Sequence, residues 1–466
     1  MTLLSPTFMF IFLPIALGIL AVTPKKLRRG ILAAEGVMFF VCINIHDLFS
    51  LSYVVLILAA VMSAVLLHEK TGKILYLNSC AFACLVAAAV ILTLRAVGGA
   101  GGKFLGGLVL VLMSSVSLCV DRAAGRGLIP GDMLDVASCV VYFPTMLVGP
   151  FVGYEELSER LEGADMSRRF SSGILLFLKG FVKAFAVGAV LHDAYAGIME
   201  AGDGLMGMGI LIILAIMYFL SFYSFLSGLS DIASGISSML GAELESDMGN
   251  PFTNHTPSGF IRGFFRGFSV FARLYIVRPL LSILGESLPV RLFTSALSAA
   301  FILLIFCKNA ETLIVLLVPL TAAEYFVLFG RRQKTLVNPI GRIIASVLTF
   351  AVVVASVWII ELGGIGPMIS ILTGSLRHGF LDLPYGSAEQ LLDPMNAVLP
   401  AAGIILSILG GRALGYGSRE RGEGRGGMIF KWVVSIALLG AFCAIIIFIL
   451  PRHPELATGL PITNLM

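Results

Sequence analysis

The feature that most constrains this sequence is a succession of apolar runs, each close to the length that crosses a bilayer. A helix needs about 20 apolar residues to cross the hydrocarbon core. Its peptide groups must find partners within the crossing segment, so such runs read as helices. Candidate spans are Phe8–Val22, Ile31–Ile45, Leu51–Leu67, Ile74–Leu94, Phe104–Val120, Gly173–Leu191 and Met208–Leu226. Others are Leu280–Leu284 with its flanks, Leu292–Cys307, Leu313–Phe329, Ile340–Ile360, Asn396–Leu409 and Ile429–Leu450. Several are short, so roughly eleven to thirteen spans are expected, with further interfacial or re-entrant helices.

Length alone, 466 residues, would suggest about three soluble domains. Composition overrides that expectation. Charged residues make up 13% of the chain, about half the roughly 25% of a soluble domain. So few charges cannot cover a water-exposed surface, which excludes a soluble enzyme, a disordered chain and a nucleic-acid binder. The expected fold class is an all-α, polytopic integral membrane protein forming one membrane-embedded domain over residues 1–466. There is no large extramembrane domain, so the function sits within the membrane.

The net charge of +4 is small, and the placement of basic residues says more. Lys25, Lys26, Arg28 and Arg29 follow the first run, Lys70 and Lys73 the third, and Arg122 and Arg126 the fifth. Arg331, Arg332 and Lys334 follow Phe329, and four arginines lie in the Gly-rich stretch Arg412–Arg425. The loop His192–Gly204 has no Lys or Arg. By the positive-inside rule the basic loops are cytoplasmic, with the N-terminus and the tail Pro451–Met466 outside. The first run has no basic residue before it and does not read as a signal peptide. Seven cysteines, at 42, 80, 84, 119, 139, 307 and 443, lie within or at the end of apolar runs and read as small hydrophobes rather than metal ligands.

One segment carries a different pattern. Gly259, Gly263 and Gly267 recur every four residues, beside an aromatic stripe (Phe260, Phe264, Phe268, Phe271, Tyr275) and a basic one (Arg262, Arg266, Arg273). This reads as a helix lying in the membrane interface. Asn254-His255-Thr256-Pro257 ahead of it reads as a helix-start turn.

An ionisable residue inside an apolar run is costly and marks a candidate site. Asp231 lies in such a run, and Lys308, Asn309 and Glu311 sit between two others. Lys308 and Glu311 are three apart on one helical face, where mutual neutralisation is their simplest role. Glu324 and Lys183 are further candidates, with Lys183 read as snorkelling to the interface. Pro144, Gly149 and Pro150 interrupt Asp132–Val152, as in a broken or re-entrant helix lining a cavity. An acidic loop, Glu155–Arg160, follows.

Taken in order, several segments resemble the membrane-bound O-acyltransferase (MBOAT) family, in the branch of alginate O-acetylases and teichoic-acid D-alanyl transfer proteins. They are Ser5–Pro14 with Pro24–Arg29; Tyr142-Phe-Pro-Thr-Met-Leu-Val-Gly-Pro150; Ser227-Gly-Leu-Ser-Asp231 running on to Asn250-Pro-Phe252; Phe260–Leu280 with Arg273 and Tyr275; and the stretch around Ser356-Val-Trp358. The resemblance covers residues 1 to about 375, leaving 376–466 as C-terminal spans and a basic Gly-rich loop. It implies an MBOAT-like helical bundle in a bacterial cytoplasmic membrane, acting on a polysaccharide with an acyl thioester or acyl-carrier donor. It implies a cavity lined by Ser230, Asp231, Phe265, Arg273, Tyr275, Pro144, Pro150, Asn309 and Glu311.

Both family histidines are absent. One position is held by Phe265, and the principal catalytic one falls on Lys308. Acyl transfer to a hydroxyl needs a proton acceptor near neutral pH. Phenylalanine cannot serve, and a lysine can only if desolvation lowers its pKa substantially, which Glu311 would oppose. His255 is the nearest other imidazole in sequence. Three readings follow: an O-acyltransferase with Lys308 as base; a pseudoenzyme acting as scaffold or as acyl- or lipid-binding partner of polysaccharide-modification proteins; and a secondary transporter, favoured by broken helices and buried charges but by no repeat. Membrane lipids are expected partners, nucleic acid is not, and no bound cofactor or metal is expected. The topology predicts that cysteines replacing Arg126 and Arg419 label from the same side of sealed vesicles; labelling from opposite sides would overturn it.

Overall fold

In the computed structural model of this chain the apolar runs become helices. The structure describes residues 7–45, 49–98, 107–126, 133–146, 149, 151–202, 206–248, 256–285, 287–306, 339–383, 394–417 and 425–449. Among these the fold is all-α, with no strand. Six helices are long and apolar enough to cross a membrane: Leu51–Thr71, Leu75–Leu94, Met166–Gly202, Met208–Met239, Ile340–Leu362 and Gly427–Ile447. Phe8–Val22, Met133–Thr145, Ile365–Ser375 and Val398–Leu414 form shorter apolar helices. The run Leu313–Phe329, with Lys308, Asn309, Glu311 and Glu324, lies outside the described residues, as do Pro150 and His255.

The N-terminal helices are α1 (Leu13–Val22), α2 (Arg28–Ile43), α3 (Ser50–Thr71), α4 (Leu75–Gly98), α5 (Leu108–Ala123), α6 (Met133–Val140) and α7 (Tyr154–Glu162). Polar ties join their basic ends. Arg29 meets Asp135 at 2.7 Å, Arg122 meets Glu69 at 3.3 Å, and Tyr154 donates its hydroxyl to Asp135 at 2.7 Å. The basic residues that follow the first and fifth runs therefore gather on one face, with Glu69 beside them. Asp135 is fully buried and also accepts from Ser158, so its charge is neutralised and hydrogen-bonded as burial requires. Glu155–Arg160, expected as a loop, lies within α7. Its glutamates Glu155 and Glu156 occupy the first turn and Arg160 the last, the arrangement that favours a helix by its dipole.

After α6 the chain breaks as the prolines implied. Tyr142 is extended and Phe143–Thr145 forms a single tight turn, with Pro144 near its start, where a missing N–H leaves no helical bond unmade. The interfacial segment splits into α10 (Pro257–Phe264) and α11 (Arg266–Phe271), hinged at Phe265 with φ −121° and ψ 71°. Thr256 caps α10 by accepting from the Gly259 N–H at 3.0 Å. Phe260, Phe264, Phe268 and Phe271 are buried, while Arg262, Arg266 and Arg273 are exposed. The two stripes separate as the sequence spacing required.

The centre is a hairpin of two long helices, α8 (Met166–Gly202) and α9 (Met208–Met239). At 1.5 Å per residue, 32 residues give α9 a length of about 48 Å. Beyond α11 come α12 (Arg278–Leu284), α13 (Leu288–Phe306), α14 (Pro339–Leu362), α15 (Ile365–Ser375), α16 (Pro394–Gly417) and α17 (Arg425–Ala444). Helices α16 and α17 pack on α8, and α14 packs on α9. At the start of α9, the Gly207 and Gly209 amides donate to the carbonyls of Asp382 and Phe380.

Small residues set the spacing within the hairpin, because close backbone approach is what holds membrane helices together. A β-carbon on Gly180 would lie 2.6 Å from the Gly228 carbonyl oxygen and 2.7 Å from the Ile232 nitrogen. One on Gly235 would lie 2.6 Å from the Phe177 nitrogen. Gly173 and Gly180, like Gly228 and Gly235, are seven residues apart, so each pair falls on one face. Gly180→Ala is expected to force these backbones apart and cost about 1–3 kcal/mol, seen as a lower apparent unfolding midpoint in detergent. Gly18→Ala, where nothing lies within 4 Å, should leave the midpoint unchanged.

Candidate functional site

The close seam brings three charges together in the apolar interior. Lys179 and Lys183 project from α8, and Asp231 from α9. The Asp231 carboxylate oxygen Oδ2 lies 3.1 Å from Lys179 Nζ and 3.3 Å from Lys183 Nζ. Lys183 also donates to the Ser227 hydroxyl, one turn before Asp231. Lys183 begins a π-helical stretch, Lys183–Ala189, within α8. Such stretches rotate side chains out of the ordinary helical register and often mark functional positions. Lys183 thus points inward to Ser227 and Asp231, which corrects its reading as a snorkelling residue: a partnered ammonium inside the bundle is better solvated there than against lipid.

Two lysine side chains thus share one carboxylate. Asp231 is buried, while the Lys179 and Lys183 side chains keep 15% and 18% of their surface exposed. The cluster is therefore not sealed from its surroundings.

Along α9 serines recur at 221, 224, 227, 230, 234 and 237, all buried. At 100° per residue they wind around the helix, so that Ser221 and Ser230 face nearly opposite ways. Ser221 donates to the Gly188 carbonyl, and Ser237 to that of Ala242. The Ser237 hydroxyl also lies 2.9 Å from that of Tyr142, beside the Pro144 turn.

A second buried carboxyl closes the site. After α9 the chain doubles back, so that the Asp247 N–H donates to the Ser230 hydroxyl at 2.8 Å. Ser230 sits nine residues, about 13 Å, before the end of α9. One Asp247 oxygen, Oδ1, accepts from the Gly267 amide, and the Arg266 amide donates to the Asp247 carbonyl at 2.9 Å. The other oxygen, Oδ2, is buried with no hydrogen-bond partner among the described residues. It faces Gly149, whose φ of +99° only glycine adopts readily and whose absent β-carbon would lie 2.9 Å from Oδ2. A β-carbon on Gly267 would likewise collide with Oδ1 and with the Phe151 carbonyl. Burial pushes the Asp247 carboxyl up to about 7, against smaller opposing effects from the Gly267 and Phe151 amides and from Arg266.

The two centres are continuous. The Ser246 hydroxyl lies 3.1 Å from that of Ser230 and also bonds the Asp231 carboxylate. Ser230, Asp231, the buried Pro144 turn and Phe265 thus gather around one stretch of α9. Phe265 is buried in an aromatic nest, 4.5 Å from the Phe264 ring and 6.4 Å from that of Phe268. Phe264 packs in turn on Phe219, Phe222 and Tyr223. Tyr275 is directed elsewhere: its hydroxyl donates to Asp121 at 2.9 Å and lies 2.9 Å from Ser117. Arg273 is exposed and is not brought to this centre.

Lys179, Asp247 and the recurring serines were not singled out from the sequence. Lys179 stands four residues before Lys183 and the serines keep helical spacing, so both were readable there. Asp247 carries no such signal, since it follows Glu243 and Glu245 in what reads as a solvated acidic loop. Among the described residues no group of three or more His, Cys, Asp or Glu side chains is placed to hold a metal ion.

No protein-family model matches the sequence. The chain is similar to a probable alginate O-acetylase AlgI of Pseudomonas fluorescens, 22% identical over 285 residues, which is 58% of this chain and 55% of that protein. Probable alginate O-acetylases AlgI of Pseudomonas putida and Pseudomonas aeruginosa are each 24% identical over 174 residues, 36% of this chain and 35% and 32% of theirs. The chain thus spans about half the length of the first relative and a third of the others. With its apolar helices and bacterial relatives, it is a multi-pass protein of a bacterial inner membrane.

Removing the acid from the cluster should be severe. Asp231→Asn leaves Lys179 and Lys183 facing each other without a counter-charge, at a cost of about 3–5 kcal/mol. Adding Lys179→Met to Asp231→Asn should recover part of that loss. The apparent unfolding midpoints of the single and double variants check this.

Proposed function

We propose that this chain serves the O-acylation of a cell-envelope polysaccharide, with an acetyl or similar group, as an MBOAT-like protein of the alginate O-acetylase and teichoic-acid D-alanyl transfer type. The observation that carries the reading is convergence. Three segments that resemble the family, around Pro144–Gly149, Ser227–Asp231 and Phe260–Gly267, are far apart in the sequence yet meet around Ser230 and Asp247. The similarity to alginate O-acetylases supports the same reading. The donor is an acyl thioester or acyl-carrier protein, and polysaccharide-modification proteins are the partners.

In this reading Lys308 stands where the family has its principal histidine and takes the proton of the acceptor hydroxyl. Phe265 has no proton-accepting atom and is packed in an aromatic nest. That observation favours the second reading, a pseudoenzyme that binds the acyl donor or a lipid and scaffolds the modification complex.

Purified protein incubated with acetyl-coenzyme A and alginate oligosaccharides separates the two. An active enzyme acetylates the oligosaccharide, and Lys308→Met lowers the rate by about 10²–10⁴, the typical worth of a positioned base. Lys308→Met/Glu311→Gln controls for an unpaired Glu311. Turnover that persists in both variants removes Lys308 from the mechanism. An absence of turnover, with envelope acylation in cells unchanged by Lys308→Met, supports the scaffold.

A further inference from the structure

We infer that the Asp247 carboxyl is a proton-transferring group of this site, working on the acceptor hydroxyl in the place that Phe265 leaves without an imidazole. The inference rests on the O-acylation reading, gives the proton-accepting role to Asp247 in place of Lys308, and so adds a residue that the family resemblance does not supply.

Three observations carry it. The first is position. Asp247 is 4% exposed, and it is held at the level of Ser230 because the chain after α9 folds back along that helix. Its Oδ1 is bound by the Gly267 amide, two residues from Phe265. The carboxyl is thus fixed beside the very turn on which the family carries its first histidine.

The second is an incomplete set of partners. A buried carboxylate normally has both oxygens satisfied, because an orphaned oxygen costs the full desolvation of the group. Asp135 illustrates the ordinary solution: it is fully buried and surrounded by Arg29, Arg122, Tyr154 and Ser158. Asp247 departs from it. Its backbone and Oδ1 are tied down, while among the described residues Oδ2 makes no well-formed hydrogen bond, with the Phe151 amide beside the carboxyl. A carboxyl used only as a brace would have both oxygens firmly bonded.

The third is the wall around the open oxygen. Two glycines, Gly149 and Gly267, stand where any side chain would strike the carboxyl. Among the described residues Arg266 on α11 pairs with Glu245, and Ser230 of α9 reaches Asp247. The Lys179 and Lys183 charges are engaged by Asp231 on the other side of Ser246. Burial dominates over the opposing Gly267 and Phe151 amides and Arg266, and pushes the carboxyl up to about 7.

In the step this assigns, the acceptor O–H bond breaks as its oxygen adds to the thioester carbonyl carbon. The proton passes to Asp247 Oδ2. When the tetrahedral adduct collapses, the C–S bond breaks and the departing sulfur takes that proton back. The carboxylate is regenerated, and the products are an O-acyl ester and a free thiol.

The test is the rate of acetyl transfer from acetyl-coenzyme A to alginate oligosaccharide by the full chain, measured between pH 5 and 9. The base works as the carboxylate, so the wild-type rate rises with pH through about 7 and then levels. Asp247→Asn keeps an oxygen for the Gly267 amide and should lower the rate about 10²–10⁴-fold with loss of the rising limb. Asp247→Glu should restore part of the rate and the limb. A wild-type limb that survives in Asp247→Asn, or a variant rate within a few-fold of wild type, overturns the inference while leaving the O-acylation reading intact. Absence of wild-type turnover overturns the inference and favours the scaffold reading. Infrared spectroscopy gives a readout independent of turnover: a protonated-carboxyl band that titrates near pH 7 and is missing in Asp247→Asn. A carboxyl already ionised at pH 5 would sink the inference whatever the rates.

Discussion

The structure depends on the approach of α8 to α9. Where two helices meet through glycines in a membrane, backbone dipoles and small polar side chains come within bonding distance and lipid is shut out. Here the consequence is specific. With Gly180 against Gly228 and Gly235 against Phe177, the lysines of α8 have no lipid to enter and must meet α9. Asp231 and Ser227 are there to receive them. The ion cluster and the seam sustain each other: a wider seam would strand the charges, and without Asp231 two ammonium groups would repel across it.

Much of this was legible in the sequence, for physical reasons that can be named. Apolar runs fix helices because lipid offers the backbone no alternative, so an all-α membrane fold followed directly. The Phe and Arg stripes of residues 260–273 sorted to buried and exposed faces, since a helix repeats every 3.6 residues and an interface has two sides. The number of long spans was less legible. Runs such as Phe8–Val22 are apolar but short, and hydropathy cannot distinguish a short crossing from a helix packed within the bundle. Lys183 was misread because snorkelling assumes a lipid-facing side chain. Its true direction is set by a π-helical stretch that no periodicity announces. Asp247 was invisible for a related reason. Its acidic surroundings read as solvated, and only the fold shows the chain turning back into the bundle.

Phe265 separates two things that a family resemblance tends to merge. Phe265 is positioned by the break between α10 and α11, the glycines on either side of it and the contact with the Asp247 segment. Where the resemblance places a histidine, this ring packs in an aromatic cluster with Phe264 and Phe268. Such packing needs only a planar ring of that size. Retention of fold is therefore no argument for retention of mechanism, and the question of activity turns on the groups that do titrate.

Both carboxyls, Asp231 and Asp247, are tied to one helix, α9. Ser230 and Asp231 are consecutive on α9 and so diverge by about 100° around its axis. One holds the returning segment through Asp247, and the other holds α8 through Lys179 and Lys183. Ser246 bonds to both. A rotation of α9 that improved one set of contacts would pull the other apart, so the helix has a single rotational setting in which both are made. Either carboxyl thus reports on the state of the other. Loss of the Asp231 charge loosens the seam that fixes α9, and with it the position of Ser230 that holds Asp247 at depth.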